Sequence, residues 1–107
     1  QILPLTKKTS IALVHETEYR IVNGYFSNTF SSTRSMKYYY HRFVVFDENF
    51  VIKQCTDRFV FTKPGIEFAC GLAPTEGGFL VSFGRSDVAT YLGLITRDSI
   101  DRALKPV

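Results

Sequence analysis

No tryptophan, one methionine, two histidines and two cysteines leave this 107-residue chain short of the residues from which metal and redox centres are built. Cys55 and Cys70 are too few for a zinc site by themselves, and they read as buried free thiols rather than as a disulfide. No metal and no cofactor is therefore expected. His15 and Glu16 lack the second histidine of a zinc-protease helix, no nucleophile elbow is present, and Gly77 with Gly78 is too short a glycine stretch to cradle phosphate. No apolar run approaches the roughly 20 residues of a spanning helix. With nothing resembling a signal peptide either, the expectation is a soluble, cytoplasmic protein with no membrane partner.

Charge is equally sparse in pattern. Thirteen basic and ten acidic residues give a net charge of +3, and the basic ones are scattered, with only short pairs such as Lys7 and Lys8. No continuous stripe is offered to a phosphate backbone. Tyr38, Tyr39 and Tyr40 form an aromatic run, but the basic interleaving of a base-stacking platform is thin, so nucleic acid is not an expected partner.

What the chain does have is apolar and aromatic mass. Hydrophobic residues make up 45% and aromatics 15%, with ten Phe and six Tyr, which is enough to bury a core and excludes a disordered tail. Aromatic and β-branched side chains suit a pleated, half-buried surface, so the expected class is all-β. At this length one domain, 1–107, is the ceiling.

Short apolar runs between polar turns predict strands at 1–5 and 10–16, joined by the turn 6–9. Residues 19–34, rich in Asn, Gly, Ser and Thr, read as a long surface loop. A long strand is expected over 36–47. Tyr39, His41, Phe43 and Val45 share one of its faces and Tyr38, Tyr40, Arg42, Val44 and Phe46 the other; both are largely apolar, which predicts a strand covered on both sides. A turn at 47–49 leads to a strand at 50–56, placed at an outer edge by Lys53, Asp57 and Arg58. Strands at 65–73, 78–87 and 89–95 follow, the first two joined by a hairpin at Glu76, Gly77 and Gly78. A short helix over 98–104 is expected to be capped by Asp98, to face Ile100, Ala103 and Leu104 inward, and to stop at Pro106.

Seven strands in groups of four and three amount to about two antiparallel β-propeller blades with a short C-terminal helix. Propellers close with about four to eight blades, so such a chain does not close a ring alone. A sandwich built from the same strands is the alternative, which periodicity does not separate. Open blade faces and edges predict a homo-oligomer or a piece of a longer chain.

Polar residues set among small and apolar ones mark a candidate site. His15 ends the run 11–14, and its imidazole is placed to bind an oxyanion or a sugar hydroxyl. His41 shares a face with Tyr39 and Phe43, a pairing that suits ring stacking on a sugar together with hydrogen bonding; a core histidine is the competing reading. Arg42 lies on the opposite face, where an inter-blade ion pair competes with anion binding. Glu67 is flanked on its own face by Gly65, Ala69 and Gly71, which leaves room for a ligand. Asp87 follows Gly84, Arg85 and Ser86 in a turn, where an Asx-turn and an ion pair with Arg85 compete with a ligand role.

The motifs VHE at 14–16, YYYHRF at 38–43, GIEFACGL at 65–72 and VSFGRSD at 81–87 resemble, in that order, the C-terminal part of five-bladed β-propeller carbohydrate-active proteins. These are the β-mannoside phosphorylases and hydrolases of glycoside hydrolase family 130 type, and the propeller regions attached to bacterial glycosyltransferases. The resemblance implies that His15 helps hold phosphate and that Asp87 lies at a sugar site. It also implies that the catalytic acid and the phosphate-binding arginines belong to earlier blades, so that a complete phosphorylase site is not expected here. His41 with Arg42 is closer to the glycosyltransferase-associated pattern. The implied partner is a sugar or glycan, with phosphate a further candidate, and the substrate-binding set is His15, Tyr39, His41, Glu67, Arg85 and Asp87.

Overall fold

A computed structural model of the chain describes residues 1–25, 31–63, 65–86 and 89–107. In chain order it holds β1 (Ile2–Pro4), β2 (Thr9–Tyr25), β3 (Ser31–Asp47), β4 (Ile52–Cys55), β5 (Glu67–Thr75), β6 (Gly78–Arg85), β7 (Ala89–Thr96), α1 (Arg97–Ala103) and β8 (Lys105–Pro106). The strands form two antiparallel sheets, β1-β2-β3-β4-β8 and β5-β6-β7. The all-β expectation holds at this level.

The two sheets share one core. Ile11, Phe43 and Val45 of the first face Leu72, Phe79, Val81 and Phe83 of the second, and Ile100 of α1 closes one end. The facing set on β3 is the one that strand alternation predicts. Among the described residues no further sheet covers its other face. The Arg58 guanidinium lies 4.2 Å from the centre of the Tyr40 ring and Arg42 pairs with Glu16, so long charged side chains cover apolar surface that was expected to be sandwiched.

The stretch 19–34 departs most from expectation. Instead of a loop, β2 and β3 pair in unbroken register from Thr9↔Asp47 to Tyr25↔Ser31, and residues 26–30 fall outside the described chain. A ladder satisfies backbone groups whatever the side chains are, so the polar composition that reads as a loop is compatible with strand. Two 17-residue strands account for the long axis of 60 Å and for a radius of gyration of 16.9 Å, against about 13 Å for a compact chain of this length.

Local chemistry explains the turns. Gly77 takes a φ of 78° in the β5–β6 hairpin. A Cβ on the adjacent Gly78 would lie 2.1 Å from the Ile95 carbonyl oxygen, so only glycine fits that approach. Asp47 accepts from the Asn49 and Val51 amides in the turn before β4, and the Val51 bond contributes most to holding its carboxyl below the usual range.

At the C-terminus the N-cap is Thr96 rather than Asp98. The Thr96 hydroxyl accepts from the Ser99 amide at 3.1 Å, while Asp98 sits in the first turn and pairs with Arg102. Ile100 is buried and Leu104 partly so, but Ala103 is exposed. Pro106 does more than stop the helix, because β8 pairs with Gln54 and Cys55 and covers the edge of β4, so β4 is not the outer strand expected from Lys53, Asp57 and Arg58. Neither cysteine is buried as expected. Both are free, with Cys55 half-buried and Cys70 exposed.

Candidate functional site

The segment between β4 and β5 positions the site. It runs back along the free edge of β3 and takes up hydrogen bonds that edge would otherwise leave unmade. Thr56 N–H donates to the Phe43 carbonyl, His41 and Phe59 exchange both backbone bonds, and the Tyr39 amide donates to the Gly65 carbonyl. β5 is thereby delivered beside β3, with Glu67 and Ala69 next to His41.

Glu67 is fully enclosed. Its Oε1 accepts from the Phe61 amide at 2.6 Å, and its Oε2 accepts from the Thr62 amide at 3.0 Å and the Thr62 hydroxyl at 2.6 Å. Arg85 of β6, opposite Glu67 in register, brings Nη1 to 3.8 Å from Oε2 and also donates to the Thr62 hydroxyl. A carboxylate so engaged clamps the connecting segment onto β5.

His41 is equally buried. Its Nε2 accepts from the Ala69 amide at 3.2 Å, which places the ring proton on Nδ1. That nitrogen lies 4.0 Å from Glu67 Oε1 and has no hydrogen-bond partner among the described residues. Burial pushes the His41 pKa below the usual histidine range, winning over the opposing pull of Glu67 and assisted by His15.

A groove of about 490 Å³ opens beside this cluster, lined by Gln1, Leu13, His15, Phe68, Cys70 and their neighbours. His15, opposite His41 in register, stands exposed at the groove. Its ring meets Phe68 edge-on at 4.6 Å between centroids, and Tyr39 lies 6.3 Å from both. His15, Tyr39 and Phe68 thus form an open polar and aromatic cluster, whereas His41, Glu67 and Arg85 form a buried one behind it. Arg42 faces away from both, pairing with Glu16 at 2.9 Å within its own sheet and donating to the Thr56 carbonyl at the start of the connecting segment. Asp87 lies outside the described residues.

Phe68 and Thr62 are absent from the sequence-derived set. Strict alternation along 65–73 puts Gly71 on the face of Glu67, but a register shift between Ala69 and Gly71 makes Cys70 the extra residue. Beyond it Leu72, not Gly71, turns into the core. The bulge is also why Cys70 is exposed and why Phe68, Ala69 and Cys70 all line the groove. A glycine inside a strand pattern is the available signal for such a bulge.

No group of three or more metal-ligating side chains occurs among the described residues, and no described helix is long and apolar enough to cross a membrane. Comparisons with family models, curated proteins and solved structures find no match to this chain.

Proposed function

We propose that the chain is a carbohydrate-binding module, its two sheets being successive blades of a partial propeller, and that it holds a sugar ring in the groove between β2 and β5. The observation that carries this reading is the exposed His15 ring set edge-on against Phe68, with Tyr39 beside both. Aromatic faces suit the C–H face of a sugar, and imidazole and phenol groups suit its hydroxyls. The groove lining contains neither Lys nor Arg, which favours a neutral sugar over phosphate. Glu67 already accepts three hydrogen bonds from the connecting segment, an arrangement that favours binding over acid–base chemistry.

Amide NMR titrations with methyl mannoside, a mannobiose and inorganic phosphate test the reading. Sugar should perturb residues 13–15 and 68–72, and both His15→Ala and Phe68→Ala should abolish the perturbation while leaving the core resonances in place. A folded protein unmoved by millimolar sugar would overturn it.

A second reading, an assembly module, is favoured by Leu92 and Leu94, which are 71% and 75% exposed on the sheet-edge strand β7. Exposed apolar side chains on an open edge are an association hazard. Size exclusion with light scattering should give a mass at least twice the 12.2 kDa of one chain. A clean monomer at high concentration would remove self-assembly from consideration.

A further inference from the structure

His41 joins the two sheets at the groove wall. Its Nε2 takes the amide proton of Ala69, the residue at which the β5 bulge begins, and Ala69 lines the groove with Phe68 and Cys70. Its Nδ1–H, buried and unpartnered among the described residues, lies 4.0 Å from Glu67 Oε1. That separation is beyond hydrogen-bond length but within reach of a small ring rotation.

We propose that His41 is a proton-operated latch: neutral, it holds the β5 wall of the groove to β3, and protonated, it releases Ala69 and turns to Glu67. The imidazolium has a donor on each nitrogen, so Nε2–H would face the Ala69 N–H, donor against donor, and that bond is lost. Nδ1–H gains a charge-assisted bond if it closes on the Glu67 carboxylate. One proton taken from solvent thus exchanges a backbone partner for a side-chain partner.

The groups that face His41 decide where the latch works. From β5 comes Glu67, which favours the imidazolium; from β2 comes His15, which disfavours it when charged; from β6 comes Arg85, 3.8 Å beyond the Glu67 carboxylate. The connecting segment presents the rings of Phe59 and Phe61 without charge. Burial outweighs the rest and lowers the folded-state pKa below the ordinary histidine value of 6.5. The sign follows from linkage. As pH falls below 6.5 the unfolded chain binds the proton first, so His41's contribution to stability is complete above 6.5 and declines toward the lowered folded-state value. The latch is closed at neutral pH and opens in acid.

Opening would loosen the Phe68–Cys70 wall and weaken sugar binding in acid; that consequence alone rests on the sugar reading, and the experiment separates the two. Nitrogen-15 NMR on the full chain from about pH 8 to about pH 4 follows the His41 ring nitrogens and the Ala69 amide. Both should titrate with one shared midpoint below 6.5, and the Ala69 protection factor should fall about tenfold across it while the amides of Val81 and Phe83 stay protected. Titration of His41 with Ala69 unmoved would overturn the latch, as would a His41 that stays neutral until the whole chain unfolds. His41→Gln supplies an acceptor that does not titrate, and an acid step at Ala69 persisting in that variant would also overturn it. If the variant fails to fold, the wild-type titration decides. Methyl mannoside added at either end of the range completes the test. No sugar binding at any pH defeats the sugar reading and leaves the latch, while a flat Ala69 profile defeats the latch and leaves the sugar reading.

Discussion

Glu67→Ala should lower the free energy of unfolding by about 3–5 kcal/mol, the range for removing one partner from a buried charged network. Three bonds end on this carboxylate, from the Phe61 amide, the Thr62 amide and the Thr62 hydroxyl, and Arg85 stands 3.8 Å behind it. Alanine would orphan two backbone donors and leave a largely buried guanidinium without its counter-charge. Because small domains are stable by only about 5–15 kcal/mol, the loss approaches the whole margin. Glu67→Gln keeps the shape and one acceptor, so it should cost less than alanine while still disturbing Thr62. Urea unfolding followed by circular dichroism measures both. If Glu67→Ala shifted the stability by less than about 1 kcal/mol, the carboxylate would not be the clamp described.

Phe83→Ala should have an effect of similar size for a different reason. Phe83 is 6% exposed on β6 and lies in a continuous run of ring contacts: Phe43 to Phe59 at 5.7 Å, Phe59 to Phe61 at 5.3 Å, Phe61 to Phe83 at 4.6 Å, and Phe83 to Tyr91 at 5.5 Å. That run begins in the first sheet, passes through the connecting segment and ends in the second. Truncating a buried phenylalanine costs about 3–5 kcal/mol through lost transfer energy and the cavity left behind. Phe83→Leu, which fills most of the space, should recover a large part of it. Thermal unfolding of the two variants beside the wild type tests the pair. Equal melting temperatures for Phe83→Ala and Phe83→Leu would mean that the site collapses without cost and that the ring run does not hold the sheets together.

Much of the fold was legible because its signals are local. The alternation over 36–47 groups the β3 residues that enter the core on one face, without choosing between its two apolar faces; the paired glycines at 77 and 78 locate the β5–β6 hairpin, and Thr6 with Thr9 marks the first turn, where their hydroxyls bond at 2.7 Å. The site was legible in part. His15 and Tyr39 emerge from the sequence and stand together at the groove, whereas Phe68 escapes because alternation cannot see a bulge. His41 and Glu67 were both singled out, but residue type alone does not distinguish an open carboxylate from one bonded by nearby backbone amides.

Where the chain misled, long-range pairing was responsible. The polar stretch 19–34 carries no period, yet the register that begins at Thr9↔Asp47 propagates along the ladder and makes 19–25 and 31–34 strand. Likewise β8 exists only because α1 returns the chain to β4, a contact about fifty residues distant in sequence.

The amino-acid sequence by itself determined an all-β chain with one short C-terminal helix, because the periods of apolar residues and the turn chemistry act over a few neighbouring positions. Tertiary structure alone decided that Glu67 and His41 are enclosed, that a bulge turns Phe68, Ala69 and Cys70 toward one groove, and that His41 holds the Ala69 amide across two sheets. Burial and hydrogen-bond partnership are properties of residues far apart in the chain, and they come into being only when β5 is laid beside β3.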